Sequence, residues 1–496
     1  MRHLTRPAAV LAAAALLSSI AACSAGHGSG DSGGAPSYGL DDGRTFRDYG
    51  VNPEVDTDED NLSTFALDVD TGSYAVTRAY LSDGFLPDPA SVRTEEFVNY
   101  FGQDYDPPAG GIGIHLDGAP VPFLPGGDRR VLRVGLQAAV VAEAGRAPAN
   151  LTFVIDTSGS MAGGSMEMVQ AGLMRLVDAL RPDDAVAIVT FSDDARLRLP
   201  MTPLSEPETI RGVIADLAPQ ESTNLEAGLR TGYGHAREHL RAGGLNRVVL
   251  LSDGEANVGQ TDPRLLASQI AQEAGDATQL VAVGVGRQTY NEVVLEQFAD
   301  NGNGFYTYVD TMREVERLFV HDLTGTLQAV ALDAKVQVRF NPEAVTRYRL
   351  LGYENRQLAD EDLRDDTVDG GEIGAGHSVT ALYEVTLPEG AAPAGGAELA
   401  TVHVRWTDPD RGTPVERSAT ITAGDLAPSF EAAPPRLRQD VLVAAFAESL
   451  RGGPWSSQLS LAQLAANLDL VAAALPGDPY LAELAGLVRT AAGLVG

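Results

Sequence analysis

Between residues 149 and 327 the sequence alternates continuous apolar runs of strand length with apolar stripes at helical spacing. The runs lie at 151–156, 185–191, 247–251, 280–285 and 305–308, with a shorter strand pattern at 196–204. Met166, Val169, Leu173, Leu176, Val177 and Leu180 mark the first helix, and 209–217, 225–240, 263–273, 290–300 and 312–326 read as further helices. A strand without a polar side has no solvent face, so the pattern predicts a doubly wound, mainly parallel α/β sheet covered on both faces. Such sheets bind ligands beyond the carboxyl ends of their strands, and that rule confines the search for function to one edge.

On that edge Asp156, Ser158 and Ser160 follow the first run in Leu151-Thr-Phe-Val-Ile-Asp-Thr-Ser-Gly-Ser160. One carboxylate and two hydroxyls at alternate positions are donors that Mg2+ or Mn2+ accepts. Thr223 stands just before the helix at 225, and Asp253 follows the run at 247–251. Each has a local alternative, Thr223 as a helix N-cap and Asp253-Gly254 as a tight turn. Three oxygen-bearing loops on the one edge that binds ligands point jointly to a hard cation. No nucleophile stands beside a base, and His235 and His239 read as surface residues of one helix.

Asp156-Thr-Ser-Gly-Ser160 with Thr223 and Asp253 resembles the metal-ion-dependent adhesion site of von Willebrand factor type A domains. The resemblance covers about residues 150–326 and implies that fold. It further implies that the serines and the threonine ligate Mg2+, with Mn2+ or Ca2+ as alternatives, and that the aspartates bind directly or through water. A partner protein's Asp or Glu would complete the octahedron. The chemistry is consistent with that role: with three neutral hydroxyls among five ligands the cation keeps its demand for an anion, and the helix opening after Ser160 favours the same charge.

The two ends of the chain bear on location. Arg2 and Arg6 precede an apolar stretch from Ala8 to Ile20, a signal-peptide pattern over residues 1–22. Ile20-Ala-Ala-Cys23 resembles a bacterial lipobox, which implies lipid on Cys23, the sole cysteine, and an extracytoplasmic protein anchored to the cell membrane. Residues 23–50 would be the tether, Gly/Ser-rich in their first part. With one cysteine no internal disulfide can form, so stability must come from core burial. Against 36 bases stand 68 acids, a formal charge of −32 that argues against nucleic acid as a partner.

Outside the central domain, residues 51–105 read as a small mixed region of one strand and two helices. Its Asp70-Thr-Gly-Ser73 matches an aspartic-protease signature, but the signature occurs once where a pair of carboxylates is needed, and Asp68 and Asp70 read as turn or cap residues. Strand patterns at 110–148 and 333–427 predict an antiparallel β-sandwich, with the metal domain at 149–327 inserted in it or adjoining it. The acids between Asp360 and Glu372 read as a solvated loop, and 434–496 as a helical region. Ser63 to Tyr74, Arg349 to Asn355 and Gly371 to His377 resemble segments of a group of bacterial exported proteins that carry a type A domain between N- and C-terminal regions of their own. The expected function is Mg2+-dependent binding of a protein partner, not catalysis; the alternatives are an envelope scaffold with a stabilising cation and an aspartic hydrolase using Asp70.

Overall fold

The computed structural model describes residues 46–495 apart from 68–69, 125–127, 254–257, 275–277, 287–291, 303 and 389–394. The stretches expected to be a signal sequence and most of a tether, together with Cys23 and Asp68, lie outside the described residues.

The central sheet runs Phe305–Val309, Gln279–Val285, Leu245–Ser252, Ala149–Asp156, Ala185–Phe191, Ala195–Pro203. All neighbours are parallel except the last pair, which is antiparallel. Alternation along the middle strand serves two cores. Leu151, Phe153 and Ile155 pack with the helix Gly164–Ala179, and Val154 packs with Leu229 and Tyr233 of the helix Leu225–Glu238. That second helix lies close because of two glycines: a Cβ on Gly228 would come within 2.6 Å of Phe191, and one on Gly232 within 2.3 Å of Val154. The stripe at 312–326 is not one α-helix. It breaks into Met312–Glu316, a π turn Arg317–His321 and Leu323–Leu327. In the wide turn the Asp322 N–H donates to the Arg317 carbonyl at 2.8 Å, five residues back.

Two antiparallel sheets flank this unit in sequence. One runs Val55–Asp56, Arg347–Leu351, Ser378–Leu387, Asp128–Ala138, Ile112–Pro120; the other joins Gln357–Leu358, Leu62–Ala66, Ala329–Phe340, Glu398–Asp408 and Thr413–Thr422. Val134, Leu136, Val336, Val338, Tyr383 and Trp406 share one core between them, so the strands before the central domain close a sandwich with strands after it.

Residues 51–105 do not form a region of their own. Leu62–Ala66 is a strand of the sandwich, while the helices Gly72–Ser82 and Thr94–Tyr100 pack with the C-terminal helices Pro435–Arg451, Leu461–Ala474 and Pro479–Val495. Tyr74, Phe97, Phe101, Phe446 and Leu464 are buried in that shared core. Arginines tie this lobe to its neighbours. Arg133 of the sandwich reaches Asp440 at 2.9 Å, Arg349 reaches Glu448 at 3.1 Å, and Arg78 binds Asp310 and Glu314 of the central domain. A buried ion pair of this kind adds little net stability when whole but is costly to break.

The acidic segment is also less solvated than its composition suggests. Asp360 accepts from the Thr64 hydroxyl at 2.8 Å, and the only lysine, Lys335, is buried and donates to the Asp365 carbonyl at 2.7 Å.

Candidate metal centre

Ala149–Asp156 has Ala185–Phe191 on one side and Leu245–Ser252 on the other, so the chain leaves it first to one side and later to the other. The carboxyl end of such a strand opens on the crevice where ligands bind. Asp156 stands there fully buried. One carboxylate oxygen accepts the Ser158 N–H at 2.8 Å and the other accepts the Ser252 hydroxyl at 2.7 Å. The Ser158 and Ser160 hydroxyls are 2.9 Å apart, the first buried and the second exposed.

The second loop is bound to the first by backbone. Gly159 N–H donates to the Glu221 carbonyl at 3.5 Å, the Gln220 N–H donates to the Thr157 carbonyl, and the Ser192 hydroxyl holds the Gln220 side chain at 2.6 Å. Asn224, not Thr223, caps the following helix, its side-chain oxygen accepting the Ala227 N–H at 3.1 Å. Thr223 is thereby relieved of the capping role, and it is buried beside the crevice at 2% exposure.

Asp253, also 2% exposed, completes the set electrostatically. Burial, and then the negative charge of Asp253, push the Asp156 carboxyl up to about 7, against the hydrogen bonds from Ser158 and Ser252. Among the described residues no arginine or lysine forms an ion pair with Asp156. Asp184 in the same domain is the contrast: burial works against its charge too, yet Arg146 binds it at 2.6 and 3.2 Å and its carboxyl is held below the ordinary range. A buried carboxylate that faces a second acid, and that no arginine or lysine among the described residues pairs, fits a site meant for a cation. The donor set of carboxylates and hydroxyls suits a hard one.

Ser252, Gln220 and Asn224 support the loops and are not among the residues expected from sequence. The signal for Ser252 was its place between an apolar strand and Asp253, where a short hydroxyl can reach back to the neighbouring strand. Asp70 accepts the Tyr306 N–H at 3.3 Å and lies 3.7 Å from Arg356, so it fastens the first helix to the edge of the central sheet. Nor does it cap that helix, whose N-cap is Thr71. His235 is buried, contrary to expectation, and its Nε2 accepts the Met201 N–H of the edge strand at 3.1 Å. With Glu238 and His239 it places ligand-type atoms within 4.8 Å of one another, but that hydrogen bond commits its acceptor nitrogen to the backbone.

The profile of the von Willebrand factor type A domain matches residues 150–321, which include all five candidate ligands. A second profile, described as von Willebrand factor, matches 41–129, and a third, the C-terminal region of the protein YfbK, matches 325–494. The chain is 36% identical over 444 residues to "Uncharacterized protein YfbK" of Escherichia coli (strain K12), covering 84% of this chain and 76% of that protein. The chain belongs to the YfbK family. Beyond the family, inter-alpha-trypsin inhibitor heavy chain H3 of Homo sapiens is 27% identical over 265 residues, 49% of this chain and 29% of that protein. Among solved structures, a von Willebrand factor type A protein from Catenulispora acidiphila aligns with a TM-score of 0.41 at 15% identity, covering 70% of this chain and 81% of that one. In this YfbK relative no helix among the described residues is long and apolar enough to cross a membrane.

Proposed function

We propose that this chain is a binding protein of the cell envelope that holds Mg2+ at Asp156, Ser158, Ser160, Thr223 and Asp253 and uses it to capture a carboxylate of a protein partner. The observation that carries the reading is the buried Asp156 carboxyl beside Asp253 with no ion-paired base among the described residues: a divalent cation removes that repulsion, and each of the three loops brings oxygen to the same edge. When bound, the cation would supply a Lewis-acidic position for an anionic ligand. Ser158, Ser160 and Thr223 would hold it without cancelling its charge. Ser252 and the Ser158 N–H orient Asp156, and the loop bonds through Glu221 and Thr157 keep the two ligand loops in step. The match of residues 150–321 to the type A profile, together with the similarity to a protein named as the heavy chain of an inhibitor, supports a role in protein interaction. Lipid on Cys23 would attach the chain to the membrane.

Calorimetry with Mg2+ and Mn2+ on the soluble chain tests the site, with Asp156→Ala as control. Saturable binding lost in the variant supports it, and absence of binding in the wild type defeats it. Capture from cell envelopes with and without chelator then separates a partner-binding role from a purely stabilising cation. In the scaffold case chelation lowers the melting temperature and releases nothing.

A further inference from the structure

Where the central domain, the sandwich and the helical lobe meet, a cavity of about 390 Å3 opens among Phe101, Phe305, Leu318 and Tyr480. That lies within the roughly 300–1,000 Å3 usual for small-molecule sites. Its polar wall is the broken helix. Thr326 is 6% exposed, and among the described residues its hydroxyl has no hydrogen-bond partner, although it lines the cavity. A buried hydroxyl without a partner costs free energy that a ligand atom would recover.

Arg317 and Asp322 lie beside it. Arg317 lies over the Tyr100 ring at 4.6 Å and gives its Nη1 to the Tyr100 carbonyl and its Nε to one Asp322 oxygen, each at 3.3 Å. Among the described residues the other terminal nitrogen of Arg317 and the other oxygen of Asp322 make no hydrogen bond. The wall therefore offers a cationic donor and an anionic acceptor side by side, each with hydrogen-bonding capacity left over, and an unpaired hydroxyl nearby.

Charge selects among ligands. Of the acids that line the cavity Glu314 is already paired with Arg78 and Asp322 with Arg317, so the wall is close to neutral and a bare anion gains no net attraction. A bare cation would leave the guanidinium nitrogen and the Thr326 hydroxyl unserved. A zwitterion answers both, its carboxylate on Arg317 and Thr326 and its ammonium on Asp322. Among the other residues that line the cavity, Phe101, Leu318 and Tyr480 are suited to an apolar side chain, beside the polar Asn99, His377 and Ser378. We propose that this cavity binds a free α-amino acid with an apolar side chain, a site separate from the metal centre and independent of it.

The test uses the wild-type chain in excess chelator, so that no carboxylate can be held by a metal. Thermal shift and calorimetry are run with leucine and phenylalanine and with the analogues lacking either the amino or the carboxyl group. Saturable binding of an amino acid, at least tenfold tighter than either analogue, is expected. Asp322→Asn should weaken it about tenfold and Thr326→Val several-fold, with the melting temperature of the ligand-free Asp322→Asn unchanged and that of the ligand-free Thr326→Val unchanged or raised. If neither amino acid binds, or if an analogue binds as tightly as its parent, the proposal is wrong.

Discussion

Gly232→Ala would move a helix and, through it, the metal centre. The added methyl group would sit 2.3 Å from Cγ2 of Val154, whereas carbon atoms in contact settle at roughly 3.5–4.0 Å, so one partner must retreat by about 1.5 Å. Val154 cannot, being β-branched, fully buried and paired in the middle of the sheet. The helix Leu225–Glu238 must lift instead, carrying Asn224 and Thr223 at its head. Overpacking of this kind costs about 1–3 kcal/mol, offset by up to about 1 kcal/mol from the better helix propensity of alanine. The net loss should lower the melting temperature of the domain by about 2–6 °C in calorimetry. The displacement matters more for the ion, because Mg2+ demands ligands at about 2.0–2.1 Å in a strict octahedron, and Mg2+ affinity should fall at least about tenfold. Gly234 is the control: on the same helix, a Cβ there meets nothing within 4 Å, and Gly234→Ala should hold or raise stability by up to about 1 kcal/mol with Mg2+ binding intact. If Gly232→Ala melts and binds Mg2+ like the wild type, both the packing argument and the coupling of helix to site are refuted.

In chelator Asp156→Asn should melt no lower than wild type, since it relieves the repulsion with Asp253, and added Mg2+ should then raise only the wild type; thermal denaturation with and without Mg2+ reads both. Arg78→Met should destabilise by about 3–5 kcal/mol, because it strands Asp310 and Glu314; urea titration measures it, and a loss under 1 kcal/mol would contradict the importance of the pair. Burial pushes the Asp440 carboxyl up to about 6 despite Arg133. Its folded value thus exceeds the unfolded one, so the associated stability is fully present below about pH 4 and is lost as pH rises through about 6. Urea unfolding at pH 5 and pH 7.5 should show a larger drop in wild type than in Asp440→Asn, and equal drops would disprove the assignment.

What could be read from the sequence is what local period and edge rules encode. The strand Ala185–Phe191 falls where its apolar run lies, and the five oxygen-bearing residues stand on one edge because the ends of parallel strands and the heads of helices must share it. What could not be read depends on distant pairing. Nothing near Leu62–Ala66 says that its partner is Ala329–Phe340. His235 looks like a surface residue on its own helix, and only the edge strand, with a Met201 N–H in need of an acceptor, makes it internal. Asp70 sits in a motif suggestive of catalysis, and the backbone of Tyr306 shows its use to be structural. The π turn is likewise invisible to a count of apolar residues at helical spacing, because the stripe continues through it.

Gln337 and Thr64, partners on adjacent strands of one sheet of the sandwich, are 273 residues apart in the chain. During synthesis Leu62–Ala66, and the edge of Asp128–Ala138 that faces away from its hairpin partner Ile112–Pro120, therefore stay unpaired while the whole central domain is made. The central domain, by contrast, holds its sheet within one continuous stretch and can close as soon as it appears. Long-range pairing is slow to form and leaves unpaired edges exposed meanwhile. Birth order thus sets a vulnerability that the finished molecule hides: a truncation between Leu327 and Ser378 should leave Asp128–Ala138 without its neighbour on that side, and such a fragment should aggregate even though it carries all five candidate ligands.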